Sequence, residues 1–259
     1  MEILKPDWPI PSNVCVAIST RCGGQSLRPW NSLNLAYHVG DKFESVAQNW
    51  QLLSKQLGLP SSPQLLNQIH GTVMVKAAGD GLVRTADGSY TNTPGHVCTI
   101  MTADCLPILL CNTAGTEVAA IHAGWRGLAA GIVRNAVRQF SSSSTDLMAY
   151  LGPAISQLHF EVGAEVRQAF LDNTFNDDSK DRGSKNRIEG CFLKSGDEEK
   201  KQNEYWMADL YGLAKVALNL EGVTRIYGGN FCTYADSKQF YSYRREGQTG
   251  RMASLIWIS

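Results

Sequence analysis

The sequence predicts an α+β fold, on three observations. Many short apolar runs rich in Val, Ile and Leu are bounded by Gly, Asn and Pro and read as strands. Fewer, longer segments carry apolar residues at three-to-four spacing and read as amphipathic helices. A hydrophobic content of 43% over 259 residues is ample for one large core, so a single domain covering residues 1–259 is expected.

In chain order, residues 13–20 (NVCVAIST) form the first predicted strand, punctuated by Arg21-Cys22-Gly23-Gly24. Residues 30–41 are polar and irregular with aromatic residues, which suits an ordered loop. A helix is predicted over 44–57, where Val46, Ala47, Trp50, Leu53 and Leu57 recur at helical spacing and Gly58 and Pro60 follow. Residues 64–70 read as a short strand entering a turn at Gly71, and 72–76 as the next strand. The segment 77–95 holds Gly79, Asp80, Gly81, Asp87, Gly88, Asn92 and Pro94 and reads as loop. Strands follow at 97–101, 106–111 and 118–122, then an amphipathic helix over 128–140 with Ile132, Val133, Ala136, Val137 and Phe140 on one face. A strand at 147–151 runs into Gly152-Pro153, and 162–171 is predicted helical. Charge and Gly, Ser and Asn content rise over 172–203, a solvated polar excursion with a hairpin expected around 187–192. Helical spacing resumes over 206–220 and stops at Gly222; strands at 223–227 and 253–258 close the chain.

Lys plus Arg and Asp plus Glu number 24 each, so no global field draws the chain to nucleic acid or to an anionic membrane, and neither partner is expected. A phosphate-bearing ligand must then be held by a local cluster. Glu2 and prolines at 6, 9 and 11 break up any signal-peptide core, and no stretch reaches bilayer-spanning length. The seven cysteines (15, 22, 98, 105, 111, 191 and 232) are odd in number and spread widely, which suits free thiols in a reducing cytoplasm.

The chemistry concentrates in residues 101–127 (MTADCLPILLCNTAGTEVAAIHAGWRG). If 106–111 and 118–122 are strands joined by a turn at 112–117, they form an antiparallel hairpin that brings Cys105 opposite His122, within roughly 5 Å at the backbone. Of the remaining His38, His70, His96 and His159, His70 is the best third partner, since it ends a short strand before a glycine. Two histidines and one cysteine leave one tetrahedral position of zinc open, as catalytic zinc sites do. Asp104 is placed to act as base or to orient a ligand. Spacing alone leaves two other readings open: Cys105 as a small buried apolar residue beside a hydrogen-bonded core histidine, and a thiolate with its imidazole base, needing no metal. Arg126 follows a Gly-Trp turn where a helix begins, so it reads either as an anion contact or as a surface ion pair. Residues 241–251 (YSYRREGQTGR) place three arginines and two glycines where they could wrap a phosphate, although a solvated loop carries similar residues.

The motifs Asn67-Gln68-Ile69-His70-Gly71, Thr102-Ala103-Asp104-Cys105-Leu106-Pro107, His122-Ala123-Gly124-Trp125-Arg126-Gly127, Leu151-Gly152-Pro153, Phe160-Glu161-Val162-Gly163, Cys232-Thr233 and 240–251 (FYSYRREGQTGR) occur in this order. Together they resemble the YfiH family, also known as the laccase-domain or polyphenol oxidase family and as the peptidoglycan editing factor family. The resemblance runs from Arg21 to the C-terminus, interrupted only within 172–203. It implies a layered α-β-β-α sandwich with mixed, largely antiparallel sheets, of the cysteine hydrolase type. It further implies Zn2+ held by His70, Cys105 and His122; beside it, the residues themselves lead us to expect catalytic roles for Cys105, Asp104 and Arg126 and substrate contacts from Gln68, Arg244, Arg245 and Arg251. The implied activity is that of a purine nucleoside phosphorylase on adenosine, inosine and methylthioadenosine, with adenosine deamination as a second reaction. Its partners are then a purine nucleoside and phosphate, and the chain a monomer or homodimer.

Copper oxidase chemistry fits the composition less well. Multicopper oxidases need more imidazole ligands than the five histidines here, and His122 lies seventeen positions beyond Cys105 instead of in a short ligand loop. Two further readings remain: an amidase that removes wrongly incorporated serine from a peptidoglycan precursor, and a non-enzymatic metal-binding protein whose site is closed by Cys111 or Asp104.

Overall fold

The computed structural model describes residues 1–173, 182–196 and 205–259. The chain forms β1 (Ile3–Leu4), β2 (Val14–Ser19), α1 (Phe43–Leu57), β3 (Leu66–Asn67), β4 (Met74–Lys76), β5 (Arg84–Thr85), β6 (Gly88–Thr91), β7 (Val97–Thr102), β8 (Leu106–Asn112) and β9 (Val118–Ala123). It continues through α2 (Trp125–Ala130), α3 (Ile132–Val137), β10 (Leu147–Leu151), β11 (Glu161–Gly163), α4 (Ala164–Asn173), α5 (Arg182–Glu189), β12 (Phe192–Lys194), β13 (Tyr205–Ala208), α6 (Leu210–Leu220), β14 (Arg225–Gly228), α7 (Tyr243–Glu246) and β15 (Met252–Ile258). The fold is mixed α+β with mostly antiparallel sheets. Six strands run in the order β14-β10-β8-β9-β6-β4, four in the order β1-β2-β15-β7, and two smaller sheets are β11-β13-β12 and β3-β5. Among the described residues β10 pairs with β14, β4 with β6 and β3 with β5 in parallel, and Gln64 makes an isolated parallel bridge to Cys98.

The central strands are apolar on both faces, and each face has its own partner. Leu106, Ile108 and Leu110 of β8, with Ala119 and Ile121 of β9 and Ala149 of β10, pack against α2, α3 and α6 through Leu128, Ile132, Val133, Leu213 and Leu218. The alternate residues Leu109, Val118, Ala120, Met148 and Tyr150 pack instead with Val14, Ile18, Ile100 and Ile256 of the four-stranded sheet. The opposite side of that sheet, with Ala17, Val97, Leu255 and Trp257, receives Val46, Trp50 and Leu53 of α1. Burial on both faces explains why these strands read as continuous apolar runs.

Helix α1 starts one residue before the predicted 44–57 segment and ends where expected, at Gly58, whose φ of 60° lets its N–H return to Ser54 and Lys55 carbonyls. Residues 30–41 are a loop with one 3-10 turn at Tyr37–Val39. Several expectations fail for local reasons. The 128–140 helix is two helices because Gly131 adopts a left-handed conformation, φ 97°, between α2 and α3. The helix over 206–220 begins only at Leu210, where the Asp209 side chain accepts from Gly212 N–H; Tyr205–Ala208 is strand. Glu161–Gly163 is likewise strand before α4. The hairpin expected around 187–192 is the end of α5 followed by β12, and the rest of the 172–203 excursion, 174–181 and 197–204, lies outside the described residues. The strand at 64–70 is reduced to Leu66–Asn67, while the presumed loop 77–95 contains β5 and the fully buried β6. No helix among the described residues is long and apolar enough to cross a membrane.

The C-terminal loop is tied back to the N-terminal segment by Glu246. Its Oε1 accepts from Arg21 at 2.6 Å and from Arg245 at 3.2 Å, and its Oε2 accepts from the Thr249 hydroxyl at 2.6 Å. Burial alone would raise the Glu246 pKa, but the Thr249 hydrogen bond and the Arg21 contact outweigh it and hold the carboxyl below its usual range.

Two stability outcomes follow from this packing. Leu53→Ala, at a fully buried side chain of α1, should cost about 2–5 kcal/mol in urea denaturation, whereas Leu52→Ala, 39% exposed next to it, should cost under about 1; equal losses would contradict the assigned helix face. Glu246→Gln should destabilise by about 1–3 kcal/mol at pH 7. Because the folded pKa is depressed, that contribution is complete above the unfolded value of about 4.3 and fades as pH falls through the folded one. Urea melts of wild type and variant should therefore converge in acid; a gap that stays constant would rule the ionised pair out as its source.

Candidate metal centre and substrate pocket

Three ligand atoms, one each from His70, Cys105 and His122, lie within 4.8 Å of one another. His70 Nε2 is 3.9 Å from Cys105 Sγ, and the two imidazole rings meet edge-on with centroids 4.7 Å apart. The hairpin supplies two of the three, though in a different register from the one expected. Pro107, not Cys105, is paired with His122, and Leu106 with Ala123, so continuing the ladder would set Cys105 opposite Gly124. The thiol reaches His122 diagonally across the sheet end, which the absence of a side chain at Gly124 permits. A Cβ there would stand 3.0 Å from His70 Cδ2, 3.1 Å from Cys105 Sγ and 3.4 Å from His122 Nε2.

His122 is buried on β9, Cys105 is half-buried, and His70 is exposed on the loop between β3 and β4 with φ 60°. Such a left-handed conformation costs a non-glycine residue about 1–2 kcal/mol unless something holds it. Asp87, fully buried just before β6, does so. Its carboxylate accepts from the N–H groups of Ile69 (3.3 Å), His70 (2.9 Å) and Gly71 (2.6 Å), and from His122 Nδ1 at 2.9 Å. Sequence reading missed Asp87: a carboxylate in a Gly- and Asp-rich stretch carries no signal that distinguishes it from a solvated turn residue.

Desolvation works against ionising Cys105, but the charges and hydrogen bonds of His122 and then His70 outweigh it and pull the thiol below its ordinary pKa. Burial likewise opposes a charged His122, and Cys105 and Asp87 overcome it, raising the imidazole. Burial also disfavours the Asp87 anion, which the His122 and Gly71 hydrogen bonds restore, leaving its pKa lowered. One thiolate and two imidazoles with the nitrogen atoms turned inward form a donor set that suits a borderline divalent metal such as zinc.

A cleft of about 380 Å³ opens over this cluster, walled by Trp125, Phe160, Tyr243, Met101 and His38 and by the predicted Gln68, Asp104, Arg126, Arg244 and Arg251. Arg126, the second residue of α2, lies 4.3 Å over the Trp125 ring and has no ion-pair or hydrogen-bond partner among the described residues. Arg244 donates to the carbonyls of His159 and Glu161, and Arg251 to those of Thr249 and Gly250. Desolvation, then the neighbouring Arg251, lowers the His38 pKa, so this imidazole is neutral near pH 7. Arg245 is not brought to the cleft: its guanidinium is spent on the carbonyls of Thr233, Tyr234 and Phe240 and on Glu246.

Gln68 and Asp104 are present but already engaged. The Gln68 amide exchanges two hydrogen bonds with the Met101 backbone, tying the His70 loop to β7. Asp104, at φ 89°, accepts from the Thr233 hydroxyl and the Arg244 N–H, both at 2.7 Å. The carboxylate hydrogen-bonded to His122 is therefore Asp87 and not Asp104, where the sequence led us to expect it. Cys111 lies in the core between the sheets, remote from the cluster in β8 and with a thiol that burial pushes up to about 12, so it does not close the site. All seven cysteines are free thiols.

The family model described as multi-copper polyphenol oxidoreductase laccase matches residues 15–259. A relative from Escherichia coli strain K12, called purine nucleoside phosphorylase YfiH, is 45% identical over 258 residues, which is 99% of each chain. Another from Pseudomonas aeruginosa, called purine nucleoside phosphorylase PA4543, is 44% identical over 255 residues and 98% of each chain. Among solved structures, Neisseria meningitidis protein NMB0706 matches with a TM-score of 0.87 at 44% identity, covering 99% of both chains. YlmD from Geobacillus stearothermophilus matches at 0.83 and 27% identity, covering 95% of this chain and 92% of its own. Similarity of this extent, in sequence and in backbone alike, makes the chain a member of the YfiH family of laccase-domain proteins.

Proposed function

We propose that the chain is a zinc-dependent purine nucleoside phosphorylase, the activity its relatives' names carry. One observation supports this above the others: a thiol and two imidazoles spaced for a single metal share a cleft with three arginines and three aromatic side chains. In phosphorolysis a phosphate oxygen bonds to the anomeric carbon of the ribose as that carbon's bond to the purine nitrogen breaks. The purine leaves with the electron pair and takes up a proton, giving free base and pentose 1-phosphate. Arg126, with no partner among the described residues, is the group that binds phosphate. Arg244 and Arg251, anchored by backbone carbonyls, hold further positive charge at the wall, and Trp125, Phe160 and Tyr243 offer ring faces to the purine. Asp104 fixes the Arg244 backbone and thereby shapes the cleft. Zinc held by His70, Cys105 and His122 would supply Lewis-acid polarisation and lower the pKa of what it binds. Adenosine deamination is a second reaction compatible with that donor set.

The same reading takes the packing of helices on both outer sheet faces as an α-β-β-α sandwich of the cysteine hydrolase type. It takes the chain as one domain, a cytoplasmic monomer or homodimer whose partners are a purine nucleoside and phosphate and not nucleic acid. A copper polyphenol oxidase fits less well, because His96 is engaged with the Ala77 carbonyl and His159 stacks on Tyr234, leaving no further imidazole cluster among the described residues.

Cys105→Ala should abolish stoichiometric zinc in elemental analysis and, with it, formation of ribose 1-phosphate from inosine and phosphate, while circular dichroism stays unchanged; full zinc content in the variant would end the metal assignment. Serine release from a peptidoglycan precursor with inert nucleosides would identify an amidase, and copper-dependent phenol oxidation a laccase. Arg126→Ala should raise KM for phosphate about 10- to 100-fold, the loss of charge-assisted hydrogen bonds, with a smaller change in KM for inosine. Equal changes in both constants would remove Arg126 from the phosphate site.

A further inference from the structure

We propose that Asp87 is the positioning residue of the metal centre: one buried carboxylate orients both histidines together. This rests on reading the three-residue cluster as a metal site, and not on the identity of the substrate. Asp87 is fully buried and held through its own backbone, with its N–H donating to Val73 at 3.0 Å and its carbonyl accepting from His122 N–H at 2.7 Å. Its Oδ1 accepts from both the His70 N–H and His122 Nδ1, each at 2.9 Å, and its Oδ2 from Gly71 and Ile69.

The two histidines are aimed in different ways. At His122 the carboxylate accepts from Nδ1–H, which fixes the ring plane and turns Nε2 to the Cys105 side, where a metal would displace any proton on it. At His70 the ring is exposed, so packing does not fix it. There the backbone does the aiming. Three consecutive N–H groups converge on one carboxylate, an anion nest that holds His70 at φ 60° and directs its side chain towards Cys105. Removing the anion releases the His122 ring and the His70 backbone at once, so the two ligands lose orientation as a unit. Asparagine has nearly the same shape but only one acceptor oxygen, and it would turn an N–H against the nest.

The test compares zinc affinity, by competition with a chromophoric chelator, in wild type, Asp87→Asn and Leu53→Ala, the last destabilised in α1, which gives no residue to the cleft. Asp87→Asn should bind zinc about 10- to 100-fold more weakly. With cobalt(II) in place of zinc, it should keep a thiolate charge-transfer band and lose the wild-type ligand-field spectrum, while Leu53→Ala retains both wild-type affinity and spectrum. A folded Asp87→Asn with wild-type affinity and spectrum overturns the proposal, and so does an equal loss in Leu53→Ala, which would make the effect one of stability. Nitrogen-15 NMR of metal-loaded wild type provides a check that no variant has to survive. It should show His122 protonated at Nδ1 and ligated through Nε2; ligation through Nδ1 overturns the proposal. Wild type that binds no zinc or cobalt overturns it together with the metal reading, whereas inert nucleosides with these metal results intact would count only against the phosphorylase.

Discussion

A carboxylate with no solvent contact, Asp87, joins the large sheet to the site. A buried charge is costly unless its acceptors are filled, and here four donors from two separate segments fill them. The compensation works only while β6 lies beside β9 in its observed register, with Gly88 paired to Ile121, and while the 69–71 backbone keeps its left-handed turn. A shift of any of these segments would orphan the anion. The geometry of the His70–Cys105–His122 cluster is thus enforced by the same energetics that hold the sheet edge together.

Close backbone approach completes the arrangement from the other side. A Cβ on Gly127 would come within 2.7 Å of the Gly71 carbonyl, so α2 presses directly on the His70 loop. Gly124 leaves the space that the His70, Cys105 and His122 side chains share. The opposite wall is set by Asp104, which joins the start of β8 to Thr233 and to the first turn of α7. Segments far apart in the chain therefore meet around the cleft through polar clamps rather than through one continuous element. The base of the site is thus hydrogen-bonded through Asp87 and Asp104, while the guanidinium of Arg126, resting on the Trp125 ring, has no polar anchor among the described residues.

Those clamps also mark the limit of what the sequence disclosed. The β8–β9 hairpin was legible because strands buried on both faces leave uninterrupted apolar runs, whereas spacing left the use of Cys105 and His122 open and the family motifs at 67–71, 102–107 and 122–127 singled out the three-residue cluster. The pairing was not legible: one more residue at each strand end, Asn112 and Ala123, came with a ladder in which Cys111 faces Val118, two residues from the register that would set Cys105 against His122. Strand β6 was unreadable because Gly-Ser-Tyr-Thr has no apolar alternation; its burial is imposed by β9 and β4, not by its own composition. Met207 fitted a helical spacing that Asp209 interrupts with its cap. Arg244, Arg245 and Arg251 looked equivalent, yet Arg245 turns to carbonyls inside its own loop, a choice that depends on chain segments no local pattern specifies.

The multi-copper description that the family carries can be weighed on donor geometry. Several coppers need several groups of imidazoles, and among the described residues His70, Cys105 and His122 form one group close enough to share a metal. His96 and His159 are committed elsewhere, and His38, though it lines the cleft, stands outside that group beside Arg251, whose charge opposes a second cation there. Electron transfer among coppers has no path without those groups. A single borderline metal beside arginines suits a substrate that carries negative charge and is polarised, not oxidised, which is the demand that phosphate and a nucleoside place on a site.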